Sequence, residues 1–271
     1  IIYPPFCAGL PRKHDDRKQD RTSMTDQIVF SPDVAPEAHK NAHPVHGVVF
    51  DMDGLLLDSE TLAMDALVDA GRDLGHDVPM AFCRRMIGVP ADGCRKLVRE
   101  TYGADFPLER FFEQHEVRLR GYVDTGRLAL KQGVLPLLDL LDRLALPRAI
   151  ATSSSRYRAE HHLRLVGLDT RFDAIITRDD VSRGKPDPEP YLKAASMIGV
   201  APHDCLALED SHSVAMAAHA AGIRVIVVPD LLEPTQDVRA KALAIAQDLH
   251  AVRAWLENHA GTTGGRLFSK Q

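Results

Sequence analysis

His46-Gly47-Val48-Val49-Phe50-Asp51-Met52-Asp53-Gly54-Leu55-Leu56-Leu57-Asp58-Ser59-Glu60 decides the fold. A short apolar run ends abruptly in two carboxylates separated by one residue and followed by glycine, which reads as the carboxyl end of a buried strand. A strand rises about 3.3 Å per residue with alternating side chains, so Asp51 and Asp53 face one side, about 6 to 7 Å apart, while Met52 points away. That gap suits a reacting group or a metal.

Outward from this strand the pattern changes twice. Leu62, Ala66, Leu67, Ala70 and Leu74 recur at helical spacing and Gly75 closes the run, which predicts an amphipathic helix over 60–74. Helical patterns over 80–86, 91–102 and 107–123 follow without a strand, so residues 63–130 are expected to form an all-helical insert, a cap domain. From Gly133 onward, apolar runs at 148–152, 174–177, 205–208 and 224–228 alternate with helices at 134–144, 156–166, 188–198, 213–221 and 249–256. Continuous apolar strands alternating with helices predict an α/β protein whose Rossmann-like parallel sheet is covered on both faces. The opening strand makes it five-stranded, with a catalytic core over 46–62 and 131–259. Residues 1–45 mix charges, histidines and prolines without period and are expected to be a disordered tail; 260–271 read as a flexible C-terminal tail.

Composition narrows the function. The chain has 271 residues, 45% of them hydrophobic, and a formal charge of −5 with basic residues scattered along it. That balance lacks the positive footprint a nucleic acid or an anionic membrane would need. No apolar run reaches the roughly 20 residues of a membrane span, and the first ten residues, interrupted by Pro4 and Pro5, do not read as a signal peptide. Cys7, Cys83, Cys94 and Cys205 lie far apart, as reduced packing thiols of a cytoplasmic protein do. Neither a nucleic acid nor a membrane is therefore the expected partner, and the expected state is a monomer or weak dimer. An Asp-x-Asp-Gly can open a calcium loop, but such loops end in a glutamate at the twelfth position, and here it is Leu62.

In open parallel sheets ligands bind beyond the carboxyl ends of the strands. Those ends carry Asp51 and Asp53, then Thr152 and Ser153, then Glu209 and Asp210, and Lys185 follows the third run. Carboxylates suit Mg²⁺, and a hydroxyl, backbone N–H groups and an ammonium suit phosphate oxygens. Taken together, Asp51-Met52-Asp53-Gly54, Ala151-Thr152-Ser153, Gly184-Lys185-Pro186 and Leu208-Glu209-Asp210-Ser211 resemble the four motifs of the haloacid dehalogenase superfamily. Order and spacing are those of its phosphatase and phosphomutase branch, with a helical cap after the first motif. The resemblance implies that Asp51 is the nucleophile and Asp53 the general acid and base. It further implies that Asp51, the Asp53 carbonyl and Asp210 hold Mg²⁺ with Glu209 in support, and that Lys185, Thr152 and the Ser153 N–H bind phosphate oxygens. Gly54 would let the backbone turn closely around the ligand.

The same resemblance separates the competing activities. A dehalogenase needs neither an acid at 53 nor a metal ligand at 210. A sugar phosphomutase is the nearer alternative, but mutases of this branch carry a histidine where this chain has Ala63. A catalytically inactive binding protein usually loses the nucleophile or its acid, and both are present. The reading is therefore a Mg²⁺-dependent phosphatase acting on a small sugar, polyol or nucleoside phosphate. Arg84-Arg85-Met86-Ile87-Gly88-Val89-Pro90 resembles the cap loop that dips into the site, so Arg84 or Arg85 is read either as touching a second polar or anionic part of the substrate or as a basic helix end favoured by the helix dipole. Gln132 replaces the proline more common before the glycine at the cap hinge. Ser154 and Ser155 read as helix caps, Asp179, Asp180 and Asp187 either as residues that orient Lys185 or as part of a solvated loop, and His161, His162 and His212 as surface or helix-face positions.

Overall fold

A computed structural model describes residues 28–31, 44–89 and 91–260. Its centre is β2 (Gly47–Phe50), buried at every position and hydrogen-bonded on both sides to parallel neighbours, β3 (Arg148–Ala151) and β5 (Cys205–Glu209). A strand covered on both faces has no use for polar alternation, which is why Gly-Val-Val-Phe is continuous and apolar. β4 (Ala174–Ile176) extends the sheet beyond β3, and β6 (Arg224–Val227) and β7 (Ala244–Ala246) extend it beyond β5. β1 (Ile28–Phe30) closes the far edge antiparallel to β7, giving the order β1-β7-β6-β5-β2-β3-β4. The chain leaves β2 toward β3 on one side and resumes at β5 on the other. The strand order therefore reverses beside β2, and the crevice for a ligand opens at its carboxyl end.

Two strands exceed the five expected. Leu243-Ala244-Ile245-Ala246 is short and alanine-rich, a composition compatible with a helix, and it becomes β7 because β6 offers a free edge: Ile226 pairs with Ala244 and Val227 with Ile245. Ile28–Phe30 lies in the segment expected to be a disordered tail. The expectation fails there because β7 presents unpaired backbone groups to it, and Ile28 and Phe30 pack against the main core. The rest of the expected N-terminal tail, apart from residues 28–31 and 44–45, and residues 261–271 lie outside the described residues.

Helices α1 (Ser59–Asp73), α2 (Met80–Cys83, running into a 3-10 turn at Arg84–Met86), α3 (Ala91–Tyr102) and α4 (Leu108–Asp124) follow β2 without a strand. They bury a cluster of their own, in which Phe106 meets Phe111 edge-on at 5.3 Å and Phe82 meets Tyr102 likewise at 5.0 Å. Phe111 is fully buried, and truncating such a side chain costs about 3 to 5 kcal/mol. α1 is shared: Leu62 and Ala66 pack into the sheet's core, whereas Met64, Leu67 and Ala70 pack into the helical cluster. Two chain crossings join the layers. Leu57 bridges Leu130, Asp58 N–H donates to the Ala129 carbonyl (2.9 Å), and Lys131 N–H to the Leu56 carbonyl (2.9 Å).

The remaining helices cover the sheet: α5 (Val134–Arg143), α6 (Arg156–Leu165), α7 (Glu189–Met197), α8 (His212–Ala220), α9 (Gln236–Lys241) and α10 (Leu249–His259). Gly133 precedes α5 with φ +86°, and a Cβ there would press on the backbone of Leu249 and His250, so only glycine lets α5 and α10 approach. Among the described residues no helix is long and apolar enough to cross a membrane.

Candidate active site

Beyond Phe50 the chain turns within a few residues: Leu56 and Leu57 N–H both donate to the Met52 carbonyl at 3.0 Å, and Gly54 N–H to the Leu57 carbonyl at 2.9 Å. Leu55, Leu56 and Leu57 plug this turn into the core, which fixes the two carboxylates at the strand end. Asp51 N–H donates to the Leu208 carbonyl (3.0 Å), locking Asp51 beside β5. β5 ends one residue before Asp210, so Asp51, Glu209 and Asp210 converge, with one carboxylate oxygen from each within 4.8 Å of the others and all three residues buried.

Lys185 reaches this cluster from the loop after β4. Its Nζ donates to Asp51 Oδ1 at 2.8 Å and lies 3.6 Å from Glu209 Oε1; its side chain is 3% exposed. The ammonium sits over the Tyr191 ring, 4.9 Å from its centroid. One ammonium for three carboxylates leaves an excess of buried negative charge. Burial above all pushes the Asp51, Glu209 and Asp210 carboxyls upward, well above the usual carboxylate range for the last two, while Lys185 pulls in the opposite direction. Burial pulls Lys185 down, but Asp51 and Glu209 together hold it above its ordinary value. Both Glu209 oxygens lack a hydrogen-bond partner among the described residues. A buried carboxylate without donors and two more carboxylates facing it form a donor set that fits a hard divalent cation.

Asp53 is held differently. Ser59 Oγ, at the first residue of α1, donates to Asp53 Oδ1 at 2.8 Å, and Ser154 Oγ donates to Oδ2 at 2.8 Å. The two hydroxyls fix the carboxylate from opposite sides. Ser154 is thus not a helix cap; Ser155 is, accepting from Arg158 N–H at the start of α6. Thr152 is buried at the end of β3, with its Oγ1 accepting from Ser154 N–H (3.0 Å), and Ser153 between them is exposed. Gly54 has φ +83°, and a Cβ on it would strike Asp210 Oδ2, so glycine is required both for the turn and for the approach of Asp210.

Asp51, Asp53, Gly54, Thr152, Ser153, Lys185, Glu209 and Asp210 therefore all lie at the strand ends around β2. Arg84 and Arg85 do not join them: both are exposed in the 3-10 turn, with the Arg85 guanidinium 5.5 Å from the Phe82 ring centroid. Their neighbours Cys83, Met86 and Ile87 line a cavity of about 240 Å³ between α1 and the helical insert, which Glu60, Ala63 and His115 also face. Burial chiefly, then Asp230, Asp51 and Asp53, push Glu60 up to about 7. Asp179, Asp180 and Asp187 are spent elsewhere. Asp179 accepts from Arg156 N–H, Asp180 caps the turn at Thr177, and Asp187 accepts from Glu189 N–H. Lys185 is aimed instead by the carboxylates it faces and by Tyr191. His162, expected at a surface or helix face, is buried.

Three mutually repelling buried carboxylates at the switch point of a mostly parallel sheet flanked by helices give the protein the architecture of an α/β enzyme with an acidic site at its strand ends. More narrowly, the chain belongs to the haloacid dehalogenase-like hydrolases, whose family profile matches residues 48–228. It is 32% identical over 206 residues to a phosphorylated carbohydrates phosphatase of Thermotoga maritima, covering 75% of this chain and 94% of that protein. It is 34% identical over 187 residues to hexitol phosphatase B of Escherichia coli K12, covering 67% of this chain and 82% of that protein. Among solved structures it resembles a HAD family hydrolase from Deinococcus radiodurans R1 with bound phosphate and sodium. The TM-score is 0.69 at 27% identity, over 79% of this chain and 96% of that one.

Proposed function

We propose that the protein is a Mg²⁺-dependent phosphatase that hydrolyses a small sugar, polyol or nucleoside-type phosphate monoester through an aspartyl-phosphate on Asp51. The observation that carries this reading is the division of labour between the two carboxylates of the opening stretch. Asp51 lies among buried carboxylates with Lys185 on one oxygen, and Asp53 stands apart, oriented by two hydroxyls. Asp51, Glu209 and Asp210 would hold the cation. Bound there, Mg²⁺ would screen the repulsion between the Asp51 carboxylate and a phosphate dianion.

Asp51 attacks phosphorus in line, and the bond to the leaving oxygen breaks as Asp53 delivers a proton to that oxygen. Asp53, now ionised and still fixed by Ser59 and Ser154, takes a proton from the water that attacks the phosphorus of the intermediate. That step releases inorganic phosphate and restores Asp51. Lys185, Thr152 and the Ser153 N–H bind the equatorial oxygens, over which charge spreads in the transition state. Residues 63–130 act as a cap that selects the leaving group, and Ala63, which shares its cavity with Glu60 and His115, carries no imidazole of its own, which favours hydrolysis over the mutase reaction. Phosphate release from a panel of sugar, polyol and nucleoside monophosphates tests this directly. Turnover that requires Mg²⁺ and is lost in Asp51→Asn is expected, and turnover without added metal or retained by Asp51→Asn would refute the assignment.

A further inference from the structure

A cavity of about 360 Å³ separates α4 of the helical insert from α6 of the sheet layer, with Arg120 on one wall and Tyr157, Arg158, His161 and His162 on the other. Other arginines on or next to the same two helices are paired: Arg118 with Asp73, Arg127 with Asp65, Arg156 with Asp180. Arg158 is not. Its Nε is shielded from solvent without a hydrogen-bond partner, and its guanidinium makes no ion pair among the described residues; nor does that of Arg120. The acids of the cavity do not compensate. Asp124 is taken by His161 at 3.0 Å, and Glu116 is exposed, 3.8 Å from His115 Nδ1. A guanidinium with a desolvated nitrogen and no anion is costly unless a ligand supplies one.

His162 points the same way. It is 5% exposed, it lines this cavity, and its Nδ1 has no partner. Burial first and the Arg158 charge second push it down to about 4, so it is a neutral imidazole with a nitrogen to offer. The cavity also lies next to the chemistry. α6, which carries Arg158 and His162, begins two residues after Ser154, whose hydroxyl holds Asp53.

We infer that this cavity is a subsite for a second anionic group, a carboxylate or a phosphate, on the leaving-group portion of the substrate. Arg158 is its principal partner, and Arg120 and neutral His162 complete it. The inference rests on the phosphatase reading above. A planar guanidinium fork suits both anions.

The test uses matched esters with Mg²⁺: 3-phosphoglycerate against glycerol 3-phosphate for a carboxylate, and fructose 1,6-bisphosphate against fructose 6-phosphate for a second phosphate, with p-nitrophenyl phosphate as a reporter of hydrolysis alone. The wild type is expected to favour the anionic member of one pair by about tenfold or more in kcat/KM, the scale of one charge-assisted hydrogen bond, and the responding pair identifies the anion. Arg158→Gln is expected to collapse that ratio, and Arg158→Lys, which keeps the charge but not the fork, to restore part of it. Hydrolysis of p-nitrophenyl phosphate with no preference in either pair, or a ratio that survives Arg158→Gln, would overturn the subsite and leave the phosphatase reading standing. Absence of turnover on every ester would overturn both.

Discussion

Glu209→Gln is expected to stabilise the metal-free protein and weaken its response to Mg²⁺. Two unit charges 4.8 Å apart repel by about 3.5 kcal/mol at an effective dielectric near 20, and Glu209 faces Asp51 and Asp210 at no more than that separation. Lys185, at 3.6 Å, returns about 4.6 kcal/mol. Glu209 is thus repelled by roughly 2 kcal/mol before its burial is counted, whereas an unpartnered amide in its place costs about 1 to 3 kcal/mol. With desolvation of a fully buried carboxylate also removed, the net gain without metal at pH 8 is about 1 to 2 kcal/mol, or about 2 to 8 °C in Tm for a chain of this size. Mg²⁺ reverses the comparison. At a concentration 100 times the dissociation constant it stabilises the wild type by about 2.7 kcal/mol, and an affinity about tenfold weaker leaves the variant about 1.4 kcal/mol. Thermal melting of both proteins at pH 8, with and without Mg²⁺, reads all four states. A variant that melts below the wild type without metal while keeping the full Mg²⁺ increment would refute the reasoning.

Asp51, Glu209 and Asp210 carry raised folded-state pKa values, so they contribute stability below the ordinary carboxylate range that is lost as pH rises through the folded values. The Tm increment from Mg²⁺ should therefore grow from pH 5 to pH 8, and equal increments at both would contradict the cluster's assignment as a metal site. Ser59→Ala and Ser154→Ala each remove a 2.8 Å hydroxyl from Asp53 and should lower kcat/KM about tenfold or more; losses under twofold would deny Asp53 its orientation by these serines. Gly54→Ala forces a side chain onto a φ of +83° and into Asp210, so it should abolish the Mg²⁺ increment in Tm, and a normal increment would show that Asp210 approaches from elsewhere.

Much of this architecture is legible along the chain because its strands are buried on both faces and read as unbroken apolar runs. The ends of three of these runs then mark site residues, which is how Asp51, Thr152 and Glu209 emerge. The signal fails where pairing overrides composition. Ala244–Ala246 resembles helix, and Ile28–Phe30 resembles tail; each becomes a strand only because an open sheet edge is present. Side-chain partners are harder still. Three consecutive serines do not reveal that the middle one reaches Asp53, and the unpaired Arg158 is visible only once every nearby carboxylate is seen to be engaged or exposed elsewhere.

The most direct test of the central claim is to quench a single turnover with acid and map the protein by mass spectrometry. The account predicts a transient phosphoryl group on the peptide containing Asp51, formed only with Mg²⁺ and absent in Asp51→Asn. Phosphate release with no phosphorylated protein at any time, or a phosphoryl group on another residue, would contradict it.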